Sequence, residues 1–201
     1  MYLSVLFVDG SCFRDTEGNL KAAYTVCTLT DVIEASFLVG VKSAQVAEII
    51  ALTRACALAE DLSVTVFTDS QYGFGIVHDY GQLWKQRGFL TSSGSPIKNA
   101  EFVANLLKEI QKPKRLAVCK CTGHSTDKSL QAKGNDYADR VAKFCVSEEV
   151  HIKNNVQTKL EKCLQCVEML PTFSLESLDE LRTLQESCSI EEKKRWVSHG
   201  C

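Results

Sequence analysis

The chain has 201 residues, enough for one ordinary domain with an appendage, and its 45% hydrophobic and 24% charged content is typical of a globular protein. No apolar run approaches the roughly 18 residues that a membrane-spanning helix needs, so no membrane partner is expected. The net charge of −2 is uneven: residues 1–147 carry 16 basic and 15 acidic side chains, whereas residues 148–201 carry 7 and 10. The first segment is therefore compatible with phosphate contacts if some of its acids bind metal.

The predicted elements form an alternating α/β order. The stretch from Met1 to Val8 is apolar and lacks a basic leader, so it predicts a buried strand that ends at Asp9 rather than a signal peptide. Apolar residues take helical spacing after Ser43. The full prediction is strands at 3–8, 22–29 and 32–39 with a turn at Thr30-Asp31, a helix at 43–61, a strand at 63–67, short helices near 72–78 and 84–87, a helix at 100–111, a strand at 116–121 and a helix at 134–146. This order predicts a five-stranded mixed sheet flanked by helices.

Residues 148–201 differ in character. They are acidic, have few strand signals and contain two helix-like stretches near 156–169 and 175–185. We therefore predict one domain at 1–147, followed by a linker and a mainly helical appendage at 148–201.

The ten cysteines are scattered along the chain. Since a full-sized core is available, disulfides are not needed, and we expect reduced thiols in an intracellular compartment, cytoplasmic or nuclear. Cys163-x-x-Cys166 leaves a zinc site with His199 and Cys201 as an open alternative, although no second Cys-x-x-Cys or His-x-x-x-His follows.

Four carboxylates carry the candidate chemistry. Asp9 and Asp69 each follow a buried strand, at the edge where ligand sites of such sheets gather. Glu48 lies in the first turns of the helix that packs on the sheet, and Asp139 lies on the last helix. Converging acids repel one another unless cations hold them, and paired hard divalent cations with oxygen ligands do this. The alternative is that the strand-terminal aspartates only cap turns.

The sequence resembles the type 1 ribonuclease H family, and within it the domain at the end of gammaretroviral reverse transcriptases and their endogenous-retrovirus relatives. The resemblance covers residues 5–147. The motifs that carry it are Asp9-Gly10-Ser11, Ala44-Gln45-Val46-Ala47-Glu48, Thr68-Asp69-Ser70, Gly123-His124, Gly134-Asn135-x-x-Ala138-Asp139 and, for the retroviral branch, Gly88 to Ser92 with Ile97-Lys98-Asn99. It implies the ribonuclease H fold.

The resemblance also implies roles in the reaction. Asp9, Glu48, Asp69 and Asp139 would bind two Mg²⁺ ions, with Mn²⁺ able to substitute and Asp9 bridging both. His124 would assist proton transfer or product release. Asp136, three residues before Asp139, stays open as an alternative fourth ligand.

An RNA–DNA hybrid is the implied substrate, recognised by its shape and its 2′-hydroxyls. Gln45 would reach the RNA minor groove, and Tyr80 and Trp84 would line the channel for the DNA strand. The remaining positions assigned to nucleic acid are Ser11, Ser43, Ser70, Lys85, Arg87, Thr91, Ser92 and Asn99. Because only Lys85 and Arg87 make the turn after Trp84 basic, the isolated domain is expected to bind weakly and to depend on a reverse transcriptase partner.

The end of the chain, from Leu175 to Cys201, loosely resembles the start of a gammaretroviral integrase, which would make the chain a slice of a Pol polyprotein. We therefore expect a polymerase domain before it and an integrase after it. The predicted function is a Mg²⁺-dependent endonuclease that cuts the RNA strand of hybrids and leaves 3′-hydroxyl and 5′-phosphate ends. Two alternatives are a domesticated module that binds hybrids without cutting them, and another nuclease of the same fold, such as a junction resolvase or an integrase core.

Overall fold

A computed structural model of the protein describes residues 4–123 and 129–154. Its strands are β1 (Ser4–Arg14), β2 (Leu20–Cys27), β3 (Val32–Leu38), β4 (Ser63–Thr68), β5 (Arg115–Lys120) and β6 (His151–Lys153). Its helices are α1 (Ala44–Leu58), α2 (Gln71–Gly75), a π-helical segment (Ile76–Tyr80), α3 (Gly81–Gln86), α4 (Ala100–Glu109) and α5 (Leu130–Glu148). The predicted α/β order is confirmed.

The described strands form one mixed sheet in the order β5-β4-β1-β2-β3-β6. Strands β1, β2 and β3 are an antiparallel meander, and the predicted turn is confirmed, since the Thr28 N–H donates to the Asp31 carbonyl at 2.8 Å. Strand β4 lies parallel to β1, and β5 lies parallel to β4. Parallel neighbours need crossover connections, which α1 supplies between the meander and β4.

Each face of the sheet has its own helices and its own core. The alternation of side chains along β1 places Leu6 and Val8 in the cluster that includes α1 and α4, whereas Phe7 packs with Ala138 of α5. Both faces of the central strand are thus covered, which explains its unbroken apolar run. None of the described helices combines the length and the apolar character needed to cross a membrane.

The sheet has six strands rather than the predicted five. After α5, Glu149 adopts a left-handed conformation (φ 52°), and the chain returns along the edge of β3. The Asn154 side-chain amide donates to the Val32 carbonyl at 2.7 Å, and the Asn154 N–H donates to the Ile33 carbonyl at 3.0 Å. The sheet therefore continues past residue 147. The sequence does not predict this strand, because three residues are too few to show a periodic pattern. The assignments for 155–201, including the zinc alternative, lie outside the described residues.

Candidate active site

Asp9 lies within β1, not at its end as predicted. The parallel pairing of β1 with β4 stops at Phe7 and Phe67, but the antiparallel pairing with β2 continues to Arg14. The hairpin partner therefore extends the strand beyond Asp9. Asp69 does follow the last residue of β4 directly, as predicted. Both aspartates consequently lie just beyond the point where the two parallel strands cease to pair.

Two glycines allow the helices to approach β1 closely. A Cβ atom at Gly10 would lie 2.2 Å from the backbone nitrogen of Glu48, so only glycine lets the start of α1 cross β1 here. A Cβ atom at Gly134 would lie 2.4 Å from the ring of Phe7, which it contacts from α5. The two close crossings bring Glu48 and the helix that carries Asp139 toward the Asp9 segment.

The raised pKa of Asp9 indicates that the four carboxylates lie close together. Asp9 is 8% exposed, and its pKa is raised to about 7 by burial and by the negative charges of Asp69, Asp139 and Glu48; the Gly10 N–H partly offsets this. The pKa of Glu48 is also raised, by burial and by Asp69. Four acids from β1, α1, the end of β4 and α5 thus share one electrostatic environment.

Three of the four carboxylates have side-chain partners among the described residues. The Ser70 hydroxyl donates to Glu48 Oε2 at 2.5 Å, and the Asn135 amide donates to Asp69 Oδ2 at 3.1 Å. The Lys143 ammonium pairs with Asp139 Oδ2 at 2.7 Å. Among residues 4–123 and 129–154, no group of three or more Asp, Glu, His or Cys side chains is arranged to hold a metal ion as it stands. Holding a metal ion would therefore require these side chains to change position.

The structure separates Asp139 from the alternative ligand Asp136. The Asp139 side chain is 17% exposed and its charge acts on Asp9, whereas the Asp136 side chain is 63% exposed and pairs with Arg140 at 3.0 Å. The geometry therefore favours Asp139 as the member of the cluster. His124 lies outside the described residues, so its assigned role stays a prediction.

An open cleft lies beside Glu48. Gln45, Gln71, Tyr72 and Tyr80 line it together with Glu48. Two of these, Gln71 and Tyr72, were not singled out from the sequence, although both directly follow the Thr68-Asp69-Ser70 motif. The cleft extends the acidic site toward side chains that offer amides and aromatic rings, which suit a polar ligand with planar groups.

The positions assigned to nucleic acid fall into three groups. Tyr80 and Trp84 have ring centroids 4.4 Å apart, so the two side chains lie together, and their role in lining the channel for the DNA strand stays a prediction. Ser70 is 4% exposed, and its hydroxyl is already engaged with Glu48 and with the Gly73 N–H. The other positions are partly or fully exposed on several elements: Ser11 on β1, Ser43 and Gln45 at the start of α1, Lys85 and Arg87 at the end of α3, Thr91 and Ser92 in the following loop, and Asn99 before α4.

A second buried carboxylate is not one of the four predicted acids. Glu34 of β3 is 4% exposed, and Arg54 of α1 donates to both of its oxygens, at 2.7 and 3.0 Å. The Tyr24 hydroxyl also donates to it. Burial acts to raise the pKa of Glu34, but the hydrogen bonds from Arg54 and Tyr24 outweigh it and the pKa is lowered.

Comparison with known proteins identifies relatives along most of the chain. The RNase H family model matches residues 3–147. The Gag-Pol polyprotein of Walleye dermal sarcoma virus is 44% identical over 141 residues, covering 70% of this chain and 8% of the viral protein. The Pol polyprotein of Radiation murine leukemia virus (strain Kaplan) is 45% identical over 137 residues, 68% of this chain and 23% of its own. The chain thus spans less than a quarter of the length of these two relatives.

The fold has a solved counterpart. The solution structure of the PFV RNase H domain superposes with a TM-score of 0.61 at 24% identity, over 73% of this chain and 95% of that one. At this level of identity the likeness concerns the arrangement of helices and strands. It agrees with the mixed sheet and flanking helices described above.

Proposed function

Since the chain belongs to the RNase H family, as a domain of the retroviral Pol type, we propose that it is an endonuclease that hydrolyses the RNA strand of RNA–DNA hybrids with two divalent metal ions. The observation that supports this most directly is the charge of Asp69, Asp139 and Glu48 acting on the buried Asp9. A buried cluster of like charges without a matching set of cations favours the binding of added cations.

The donor set fits hard divalent ions. All four side chains offer carboxylate oxygens, which Mg²⁺ and Mn²⁺ prefer over softer ligands. Bound there, the pair of ions would supply the activation of the attacking water and the stabilisation of the leaving oxygen. Asp9 would be the central ligand, because each of the other three acids acts on it.

The residues of the chain would hold the hybrid beside this centre. Gln45 lies at the exposed start of α1 and its side-chain oxygen accepts a hydrogen bond from Lys98 at 3.2 Å. Its amide would reach the RNA minor groove, while Tyr80 and Trp84 would stack against the DNA strand. Adjoining polymerase and integrase domains of a Pol polyprotein are proposed as covalent neighbours, since the relatives are Pol and Gag-Pol polyproteins.

The test compares two acids of one helix. Wild-type protein, Asp139→Asn and Asp136→Asn are incubated with a hybrid labelled on the RNA strand, in Mg²⁺ and in EDTA. We expect Asp139→Asn to lower the cleavage rate at least about 100-fold, because it removes a metal ligand. Asp136→Asn, whose side chain is exposed and paired with Arg140, is expected to change the rate less than about twofold.

Asp69→Asn provides a second test from another element, and duplex DNA and duplex RNA are control substrates. Equal cleavage by wild type and both cluster variants would contradict the proposal. Hybrid binding by a wild-type protein that cuts nothing in Mg²⁺ or Mn²⁺ would instead favour the alternative of a non-catalytic binding module.

A further inference from the structure

A lysine already neutralises one member of the acidic cluster. Lys143 lies one turn after Asp139 on α5, and its ammonium is 2.7 Å from Asp139 Oδ2. It also interacts electrostatically with Asp9 and with Asp136. Among residues 4–123 and 129–154, no other basic side chain is found in an ion pair with any of the four carboxylates. The cluster therefore has one internal counterion within the described part of the chain.

The ammonium and a metal ion cannot use the same oxygen equally well. At 2.7 Å the lysine occupies a lone pair of Asp139 Oδ2, and a metal ligand must offer its lone pairs to the ion. The Lys143 side chain is 55% exposed, whereas that of Asp139 is 17% exposed. The lysine can therefore withdraw into solvent on its flexible stem, while the carboxylate stays in place.

We propose that Lys143 is an internal counterion that holds Asp139 in the metal-free protein and competes with the divalent ion for this carboxylate. It thereby sets the Mg²⁺ concentration at which the centre fills. This inference rests on the proposed metal-dependent function. Lys143 is a positioning residue here, because it acts on the site through Asp139.

The chain offers a matched control in the same helix. Arg140 pairs with Asp136 at 3.0 Å with the same four-residue spacing, but both side chains are exposed, at 67% and 63%. Lys143→Gln and Arg140→Gln each remove one positive charge and one pair of this spacing from α5. Only the first pair includes a carboxylate of the cluster.

The first measurement is the dissociation constant for Mg²⁺ by titration calorimetry on the full chain. We expect Lys143→Gln to bind Mg²⁺ about threefold more tightly than wild type, since an exposed pair of this spacing shifts an equilibrium by a few fold at most. Arg140→Gln is expected to change the constant less than about 1.5-fold. Lys143→Arg, which keeps the charge, should stay near wild type.

The second measurement is thermal unfolding in EDTA and in saturating Mg²⁺. In EDTA, Lys143→Gln should unfold at a lower temperature than wild type, because the four acids have lost their counterion. In Mg²⁺ the difference should shrink or reverse, because the ions replace the ammonium. Arg140→Gln should show the same difference from wild type in both conditions.

The outcomes separate this inference from the proposed function. If wild type binds Mg²⁺ and Lys143→Gln binds it equally or more weakly, the counterion role is wrong while the metal-dependent function stands. If Arg140→Gln tightened Mg²⁺ binding as much as Lys143→Gln does, the counterion role would also be wrong. The loss of any positive charge from α5 would then explain the tighter binding. If wild type binds neither Mg²⁺ nor Mn²⁺, the proposed function fails and the inference fails with it.

Discussion

Two strands of the same sheet each bury a carboxylate, and the two carboxylates behave in opposite ways. Asp9 on β1 is 8% exposed and Glu34 on β3 is 4% exposed. The pKa of Asp9 is raised to about 7, whereas the pKa of Glu34 is lowered. Burial disfavours the charged form in both cases, so the difference lies in the neighbouring groups.

Glu34 is surrounded by donors and Asp9 by other acids. Arg54 and Tyr24 satisfy both oxygens of Glu34 within the fold. Asp9 has the Gly10 N–H as a favourable partner, against the charges of Asp69, Asp139 and Glu48. A buried carboxylate that has positive and hydrogen-bonding partners stabilises the fold. A buried carboxylate among like charges destabilises it, and a bound cation would remove that destabilisation. This contrast separates the structural acid from the candidate ligand without reference to any relative.

The contrast predicts opposite effects when each acid is replaced by its amide. In EDTA at pH 9, Asp9→Asn should raise the free energy of unfolding by roughly 2–4 kcal/mol, because it removes a buried charge held among like charges. Glu34→Gln should lower it by about 2 kcal/mol, because Arg54 loses its charged partner. Urea unfolding of both variants beside wild type measures this. Destabilisation by both would show that Asp9 is compensated after all.

Asp9 and Glu34 should also make opposite contributions to the pH dependence of the free energy of unfolding. The raised pKa of Asp9 stabilises the metal-free protein fully below the ordinary value of 3.8, and this contribution is lost as the pH rises to about 7. The lowered pKa of Glu34 stabilises the protein above its ordinary value of 4.5, and that contribution is lost in acid. Both variants and the wild type are unfolded with urea in EDTA from pH 3 to 8. At the acid end, the free energy of unfolding should rise less steeply with pH in Glu34→Gln than in wild type. In Asp9→Asn, the fall in the free energy of unfolding toward pH 7 should be absent.

Gly10 tests whether the cluster depends on the close crossing of α1 over β1. Gly10→Ala should destabilise the protein by about 1–3 kcal/mol and weaken Mg²⁺ binding, because its Cβ would lie 2.2 Å from the backbone of Glu48. Gly18→Ala is the control, since it meets no atom within 4 Å and is strained only by its φ of 86°. Its effect should be on stability alone, at about 1 kcal/mol. For both variants, chemical unfolding measures the free energy of unfolding and titration calorimetry measures Mg²⁺ binding.

The sequence predicts the elements and the identity of the clustered acids better than it predicts their partners. The position of Asp69 is predicted correctly because a buried strand that stops at an acid is a local pattern. The position of Asp9 within β1 is not predicted, because the sequence does not show that β2 pairs past it. The sixth strand escaped prediction because three residues give no period.

The pairing of Glu34 with Arg54 depends on contact between β3 and α1, and no local pattern contains it. Glu34 in its strand reads as an ordinary outward polar residue. Lys143 is different, because its spacing of four residues from Asp139 is visible in the sequence and predicts a helical ion pair.

The smallest expected effect concerns the group that orients Asp69. Asn135 is 3% exposed, donates to Asp69 Oδ2 at 3.1 Å and accepts from the Cys121 thiol at 3.3 Å. Burial and the charge of Asp69 raise the pKa of Cys121 to about 12, so its thiol remains a donor at neutral pH. Groups that hold a metal ligand in place typically matter about tenfold.

We therefore expect Asn135→Ala to raise the half-saturating Mg²⁺ concentration or lower the cleavage rate about tenfold. Cys121→Ala, which removes only a weak S–H donor from the far side of the same amide, should change either quantity about twofold. Steady-state cleavage at several Mg²⁺ concentrations, with the melting temperature of each variant, separates orientation from stability. If Asn135→Ala cuts hybrids at the wild-type rate at every Mg²⁺ concentration, Asp69 needs no orienting partner.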